Sequence, residues 1–288
     1  MIGERGERAR ILHTVSPERR AALGHARPRK VVPMSEIPAS RPMPNEDDPG
    51  LWLGSSPLLD LADPKLRLRA QALTQLCKSE RERALAVYRF VKRIPFSRPF
   101  KMRLHTAREV VQQDRADSAD KAALLVALLR LAEIPARVRY LTLRSEMMRG
   151  LVDGPDSMRP VVEVFRERHW VGTDTYIFDA SYTAAARTRL RAYGWERGYG
   201  MDADGDMLWD GTGSAYVGKS PPREDPMVLQ DHGVFCDTLE FVSSPQYRAA
   251  HSRLGRAVQW NMLAAGMERA IRELREDPHG LGALHFSG

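Results

Sequence analysis

Apolar positions recur at helical spacing between residues 64 and 132 and then switch to alternation, so helices are followed by a meander of strands. Asp63-Pro64 starts the first helix, with proline at its first position, and Leu66, Ala70, Leu73 and Leu76 form its apolar stripe. Ser79 and Glu82 have capping-box spacing ahead of Ala84, Val87, Tyr88 and Val91. Thr106 and Glu109 repeat the box before a short helix ending near Gln113. Ser118 to Ala132 is rich in Ala and Leu, and Pro135 closes the turn behind it.

From Ala136 to Leu143 the residues alternate like a half-buried strand. Pro160 to Phe165 and His169 to Asp174 read as a hairpin, with Ile177 and Phe178 continuing into the sheet. Residues 190 to 243 are rich in Gly, Asp and Pro and read as loop-dominated. Ser244-Pro245 starts a long C-terminal helix whose apolar positions include Tyr247, Ala250, Leu254, Ala257, Ala264, Ile271 and Leu274. Helices followed by an antiparallel meander predict an α+β fold.

Three segments follow from this pattern. Residues 1–62 form a Pro- and Arg-rich extension in which recurring prolines prevent long helices, and Trp52 with Leu58 and Leu59 docks its end. Residues 63–243 form the core, and 244–288 a C-terminal helix packed on it.

Composition narrows the function classes. The 288 residues carry a net charge of +7, and only seven of the 44 basic residues are lysine. No RNP-type pattern or zinc-finger spacing accompanies that charge, so it is read as solvated arginine, not as a nucleic-acid interface. No apolar run approaches the roughly 20 residues that span a bilayer. The charged start, Met1 to Arg5, lacks an apolar stretch behind it, so no secretory signal is expected. Cys77 and Cys236 make no CxxC pair, which fits a reducing cytoplasm and gives no zinc site or disulfide framework. Oligomeric state is not legible.

The run from Ala107 through Ser118 to Val138, with its Ala/Leu-rich helix and Ile134-Pro-Ala-Arg-Val exit into a strand, resembles the core of the transglutaminase-like superfamily, which has a papain-like fold. The helix from Glu80 to Lys92, ending in Ile94-Pro-Phe, is similar to the family's preceding helix. The segment Val161-Val-Glu-Val-Phe…His169-Trp-Val-Gly-Thr-Asp174 is similar to its His-and-Asp hairpin. The likeness covers roughly residues 63 to 180. It implies a Cys at the helix N-terminus, a His base on the facing strand and an orienting Asp on the next. Carried over by position, Ser118 stands for the Cys, Arg159 for the His and Asp174 for the Asp, and Ala116 replaces a glycine two residues before the nucleophile.

A serine hydroxyl needs a neighbouring base, and a guanidinium cannot be one. The resemblance therefore implies a pseudoenzyme whose former active-site cleft binds a peptide, a protein or a small anionic ligand. Two other functions stay open: an amidase or acyltransferase using Ser118 with His169, His232 or His251 as base, and a structural or assembly component whose basic N-terminal extension, tested by deleting residues 1–50, recruits a partner to a rigid core. Arg159 and Asp174 are expected to form a bidentate ion pair. Its two readings are a strut across the hairpin, or an anion site in which Arg159 joins Ser118 and the helix N–H groups. Asp202, Asp204 and Asp206 resemble a calcium loop only superficially and are read as a polar turn. Tyr193, Trp195, Tyr199, Trp209 and Tyr216 either cap the sheet or line a groove for a partner. No cofactor or metal is expected, and the expected partner is a peptide or protein.

Overall fold

The computed structural model describes residues 48–250 and 253–280. Most of the 1–62 extension, His251, and the side chains of Ala250, Leu254 and Ala257 therefore lie outside the described residues.

Helix α1 (Pro64–Thr74) opens on Asp63, whose carboxylate accepts from Leu66 N. Its stripe is shorter than the spacing predicts: Leu66 and Ala70 are buried, but Leu76 lies past the helix end and is exposed. Helix α2 (Glu80–Arg93) buries Ala84, Val87, Tyr88 and Val91. Only half of its capping box forms. Ser79 Oγ accepts from Glu82 N at 3.1 Å, while the Glu82 carboxylate takes Lys78 N at 2.7 Å. The second box, at helix α3 (Ala107–Val111), is complete.

Helix α4 (Ser118–Leu131) is buried on every face along Ala119–Arg130, as an Ala/Leu-rich helix at the centre of a domain must be. Four antiparallel strands cover it in the order β3-β2-β1-β6. These are β1 (Ala136–Leu143), β2 (Ser157–Arg166), β3 (His169–Thr173) and β6 (Val228–Phe235). Alternation gives the sheet two faces. Val138, Tyr140, Val162 and Val164 join the main core, and Leu141, Leu143 and Val161 form a smaller cluster with Met147 and Met227. The predicted end of the extension does dock: Leu58 and Leu59 are buried, and Trp52 meets Trp170 edge-on at 6.3 Å.

Three expectations need correction. Ile177 and Phe178 are in a turn, not the sheet, and buried lysines hold their carbonyls: Lys121 Nζ donates to Ile177 O, and Lys92 Nζ to Phe178 O, both at 2.8 Å. Helix α5 (Ala180–Ala192) follows, capped by the Asp179 carboxylate on Tyr182 N. The 190–243 region also holds more structure than its composition suggests. It contains the two-residue strands β4 (Arg197–Gly198) and β5 (Met201–Asp202), the edge strand β6, and helix α6 (Thr238–Ser243). β6 escapes the pattern because, as a partly exposed edge, it does not alternate. The C-terminal span is two helices, α7 (Pro245–Ala250) and α8 (Arg253–Glu276), and α8 buries Ala264, Met267, Ile271 and Leu274.

Burial pushes the Lys92 ammonium down to about 8 from 10.5, and lowers fully buried Lys121 as well. Below pH 8 the folded and unfolded chains both hold the Lys92 proton. Above it the folded chain releases the proton first, so stability should rise with pH toward 10, Lys92 contributing at most about 3 kcal/mol. Beyond pH 10 the buried tyrosines, raised by burial, act in the opposite sense. Urea midpoints measured from pH 7 to 10 should climb for the wild type, with a shallower climb for Lys92→Met. Equal slopes would contradict this assignment.

Candidate functional site

The candidate site is built on the first turn of α4. Asp117 caps it, one carboxylate oxygen accepting from both Ala119 N and Asp120 N at 3.0 Å. Ser118 is the first helical residue and is half-buried. Its hydroxyl makes no hydrogen bond to any described residue. The segment 97–105 crosses this end. Lys101 Nζ lies 2.5 Å from Asp117 and 2.6 Å from Asp120, both contacts buried. The Lys101 backbone is clasped by the Asn261 amide of α8, which accepts from its N–H at 2.9 Å and donates to its carbonyl at 2.7 Å.

The two carboxylates part in their titration. Burial opposes charge on Asp117, but Lys101 and Arg98 outweigh it and hold that carboxyl below the usual range. Burial and the neighbouring Asp117 charge push Asp120 up. His105 completes the cluster, its Nδ1 3.0 Å from Asp120 and 3.3 Å from the Gln113 amide.

Beside Ser118 opens a cleft of about 460 Å³. Its walls come from the 97–105 segment, α4, the 148–158 segment, β2, the 177–178 turn, α6 and α8. They are largely apolar, including Phe96, Ile177, Phe178, Phe241, Leu263 and four methionines. Ser118 and Arg159 both border it, and Asp174 does not.

Arg159 and Asp174 do pair, but not in the bidentate form expected. One contact joins them, Nη1 to Oδ2 at 3.2 Å, while Nη2 donates to the Gly200 carbonyl. The other Asp174 oxygen accepts from Val217 N at 2.8 Å. Burial raises the Asp174 carboxyl, with Arg159 pulling the other way. Gly200 is a position for glycine: its φ is +81°, and a Cβ there would meet the Phe178 ring at 2.6 Å.

The geometry does not assemble the expected anion site. Asp117 already holds two α4 N–H groups, and Arg159 turns to Asp174 and Gly200, with no hydrogen bond to Ser118. It also leaves Ser118 without a base among the described residues. His169 is exposed on the hairpin beside the Glu167 carbonyl, and His232 is hydrogen-bonded to Thr142 at 2.8 Å. Neither lines the cleft, and neither do His105 and His279. The aromatic run does not line it either. Trp209 is buried edge-on against Tyr88 at 5.6 Å, Tyr193 meets Trp195 edge-on at 5.0 Å, and Trp195 stacks on Tyr199 at 6.3 Å. Asp202 and Asp206 accept from the backbone of Lys219 and Tyr216, and no group of three or more metal-type ligands gathers among the described residues.

Residues 67–175 match the family model of the transglutaminase-like superfamily. That stretch is similar to the transglutaminase-like core. It runs from α1 past β3, and so includes Ser118, Arg159 and Asp174. A provisionally assigned cysteine protease from Cytophaga hutchinsonii is similar at 20% identity, with a TM-score of 0.36, over 52% of this chain and 44% of that one. A provisionally assigned protease from Parabacteroides distasonis is similar at 17% identity, with a TM-score of 0.30, over 44% of this chain and 25% of that one. The chain thus spans less than half the length of either. No curated protein matches it. Among the described residues no helix is long and apolar enough to cross a membrane.

The transglutaminase-like pattern points to Ser118, Arg159 and Asp174 but not to Lys101, Arg98 or His105, which come from an irregular segment. One signal was available. In a chain that writes arginine nearly everywhere, the lysines at 92, 101 and 121 stand out, and all three are buried.

Asp117 combines a helix cap with one half of a buried ion pair. Asp117→Ala should therefore destabilise the fold by about 3–5 kcal/mol in urea unfolding, because Lys101 loses a buried partner. A loss under about 1 kcal/mol would show that the cap is not holding this end together.

Proposed function

We propose that this transglutaminase-like protein is a pseudoenzyme that binds an apolar ligand in the cleft beside Ser118. One observation carries the reading: the Ser118 hydroxyl has no hydrogen-bond partner among the described residues, and the position where the family resemblance expects an imidazole holds Arg159. A guanidinium stays protonated and cannot accept a hydroxyl proton. Losing a triad member costs on the order of 10⁴ in turnover, and members acting as a unit are not replaced singly.

The retained frame supports binding over chemistry. Arg159 and Asp174 tie β2 to the turn after β3 and to Gly200, as a strut. The walls they support keep a cleft within the usual size range for ligand pockets, roughly 300–1,000 Å³, and mostly apolar. A peptide or protein segment bearing apolar side chains is one occupant of that chemistry, and an apolar small molecule is another.

The wild type and Ser118→Ala should hydrolyse p-nitrophenyl acetate at the same rate. Intact-mass spectrometry after fluorophosphonate treatment should find no adduct on Ser118. Turnover or an adduct that disappears with Ser118→Ala would instead make the protein an acyl-transfer enzyme with an unconventional base.

A further inference from the structure

Resting on that cleft reading, we infer that the ligand is a neutral acyl amphiphile: an unbranched apolar chain with an uncharged amide or ester head set against Ser118. Three features of the cleft select this class.

The first is the state of the backbone around it. An extended peptide brings an N–H and a C=O at every residue, and each needs a partner when buried. Several of the backbone groups bordering this cleft are already engaged. Pro160 O accepts from Tyr176 Oη at 2.9 Å, Ile177 O from Lys121 and Phe178 O from Lys92. Gly200 O accepts from Arg159, Phe96 N donates to Asp179 at 2.7 Å, and the Lys101 backbone is clasped by Asn261. A chain without polar backbone groups is not penalised by such walls, whereas a buried peptide is.

The second is the wall itself. Met102, Met148, Met158 and Met267 reach the cleft from four separate parts of the fold. Methionine side chains are unbranched and polarizable and adapt to a flexible aliphatic partner. Met102 is also largely exposed at the rim.

The third is charge. Arg159 is matched by Asp174, Lys101 by Asp117 and Asp120, and Arg103 by Glu109. Arg98 lies in the field of the same two aspartates. A carboxylate head would enter beside Asp117 and Asp120 with no cation in surplus. A neutral carbonyl needs only a donor, and the Ser118 hydroxyl, unbonded among the described residues, supplies one.

Calorimetric titration of the full chain with lauramide, lauric acid and an N-acetylated, C-amidated leucine-methionine peptide tests this. Lauramide should bind most tightly. Ser118→Ala should weaken it about five- to tenfold by removing one hydrogen bond. Met267→Trp on α8 and Val152→Trp on the 148–158 segment should each abolish binding by filling the cleft, and the second keeps the test valid if the first fails to fold. Lauric acid binding as tightly as lauramide would overturn the neutral head. Peptide binding blocked by the tryptophan variants, without lauramide binding, would overturn the acyl class while the cleft reading survives. No binding by any of the three probes would overturn both.

Discussion

The site depends on Asp117. A carboxylate at this position satisfies two of the first N–H groups of α4 and lies in a buried ion pair with Lys101. The helix N-terminus is thus filled from within the chain. A helix N-terminus ordinarily favours a bound anion or a thiolate, through its dipole and its orphan N–H groups. Here that capacity goes to an internal carboxylate, and the lysine that balances it also fixes the 97–105 segment across the same end. Ser118 consequently sits where a nucleophile belongs in electrostatic surroundings that do little to activate one.

Much of the remaining polar chemistry near the cleft pairs off backbone carbonyls. Lys92 and Lys121 are buried, and between them they donate to the carbonyls of Ile94, Thr175, Ile177 and Phe178. Burying an ammonium costs several kcal/mol unless its donors are satisfied, and here they are satisfied by backbone oxygens that would otherwise face the core or the cleft unpaired. Arg159 does the same for Gly200 while bracing Asp174. Of the residues at the catalytic positions of the family pattern, Arg159 and Asp174 are joined to each other and, through Gly200 and Val217, to the surrounding backbone. The cleft they leave is apolar along its walls, with a hydroxyl at one pole.

The regular elements were readable from the chain because their signals are local. The run from Ala136 to Leu143 alternates, and α4 is unmistakably Ala/Leu-rich. Thr106 and Glu109 announce α3 through a box whose two hydrogen bonds both form. Helix α5 was missed although Tyr182, Ala185, Ala186 and Leu190 are spaced for a helix. Asp179 marks its start, but Ile177-Phe178 just before it reads as strand. Strand β6 carries no alternation because one edge is open. Within the site, the family pattern named Ser118, Arg159 and Asp174, and the structure joins Arg159 to Asp174 through one contact instead of two. What sequence could not give was direction. Whether Arg159 reaches Ser118 or Gly200 depends on a contact 41 residues away in the chain. Whether Asp117 neutralises the site depends on Lys101, in a segment with no periodicity at all.

The central claim is that nothing at position 118 promotes loss of a proton, and a cysteine placed there reports on it directly. The rate of alkylation of Ser118→Cys by iodoacetamide, followed against pH, gives the acidity of that thiol once the slow reaction of Cys77 and Cys236 is subtracted using the wild type. With Asp117 filling the helix end and no imidazole alongside, the thiol should titrate near the ordinary value of about 8.5 or above it. A thiolate persisting to about pH 6 or below, as in activated cysteines, would contradict the account.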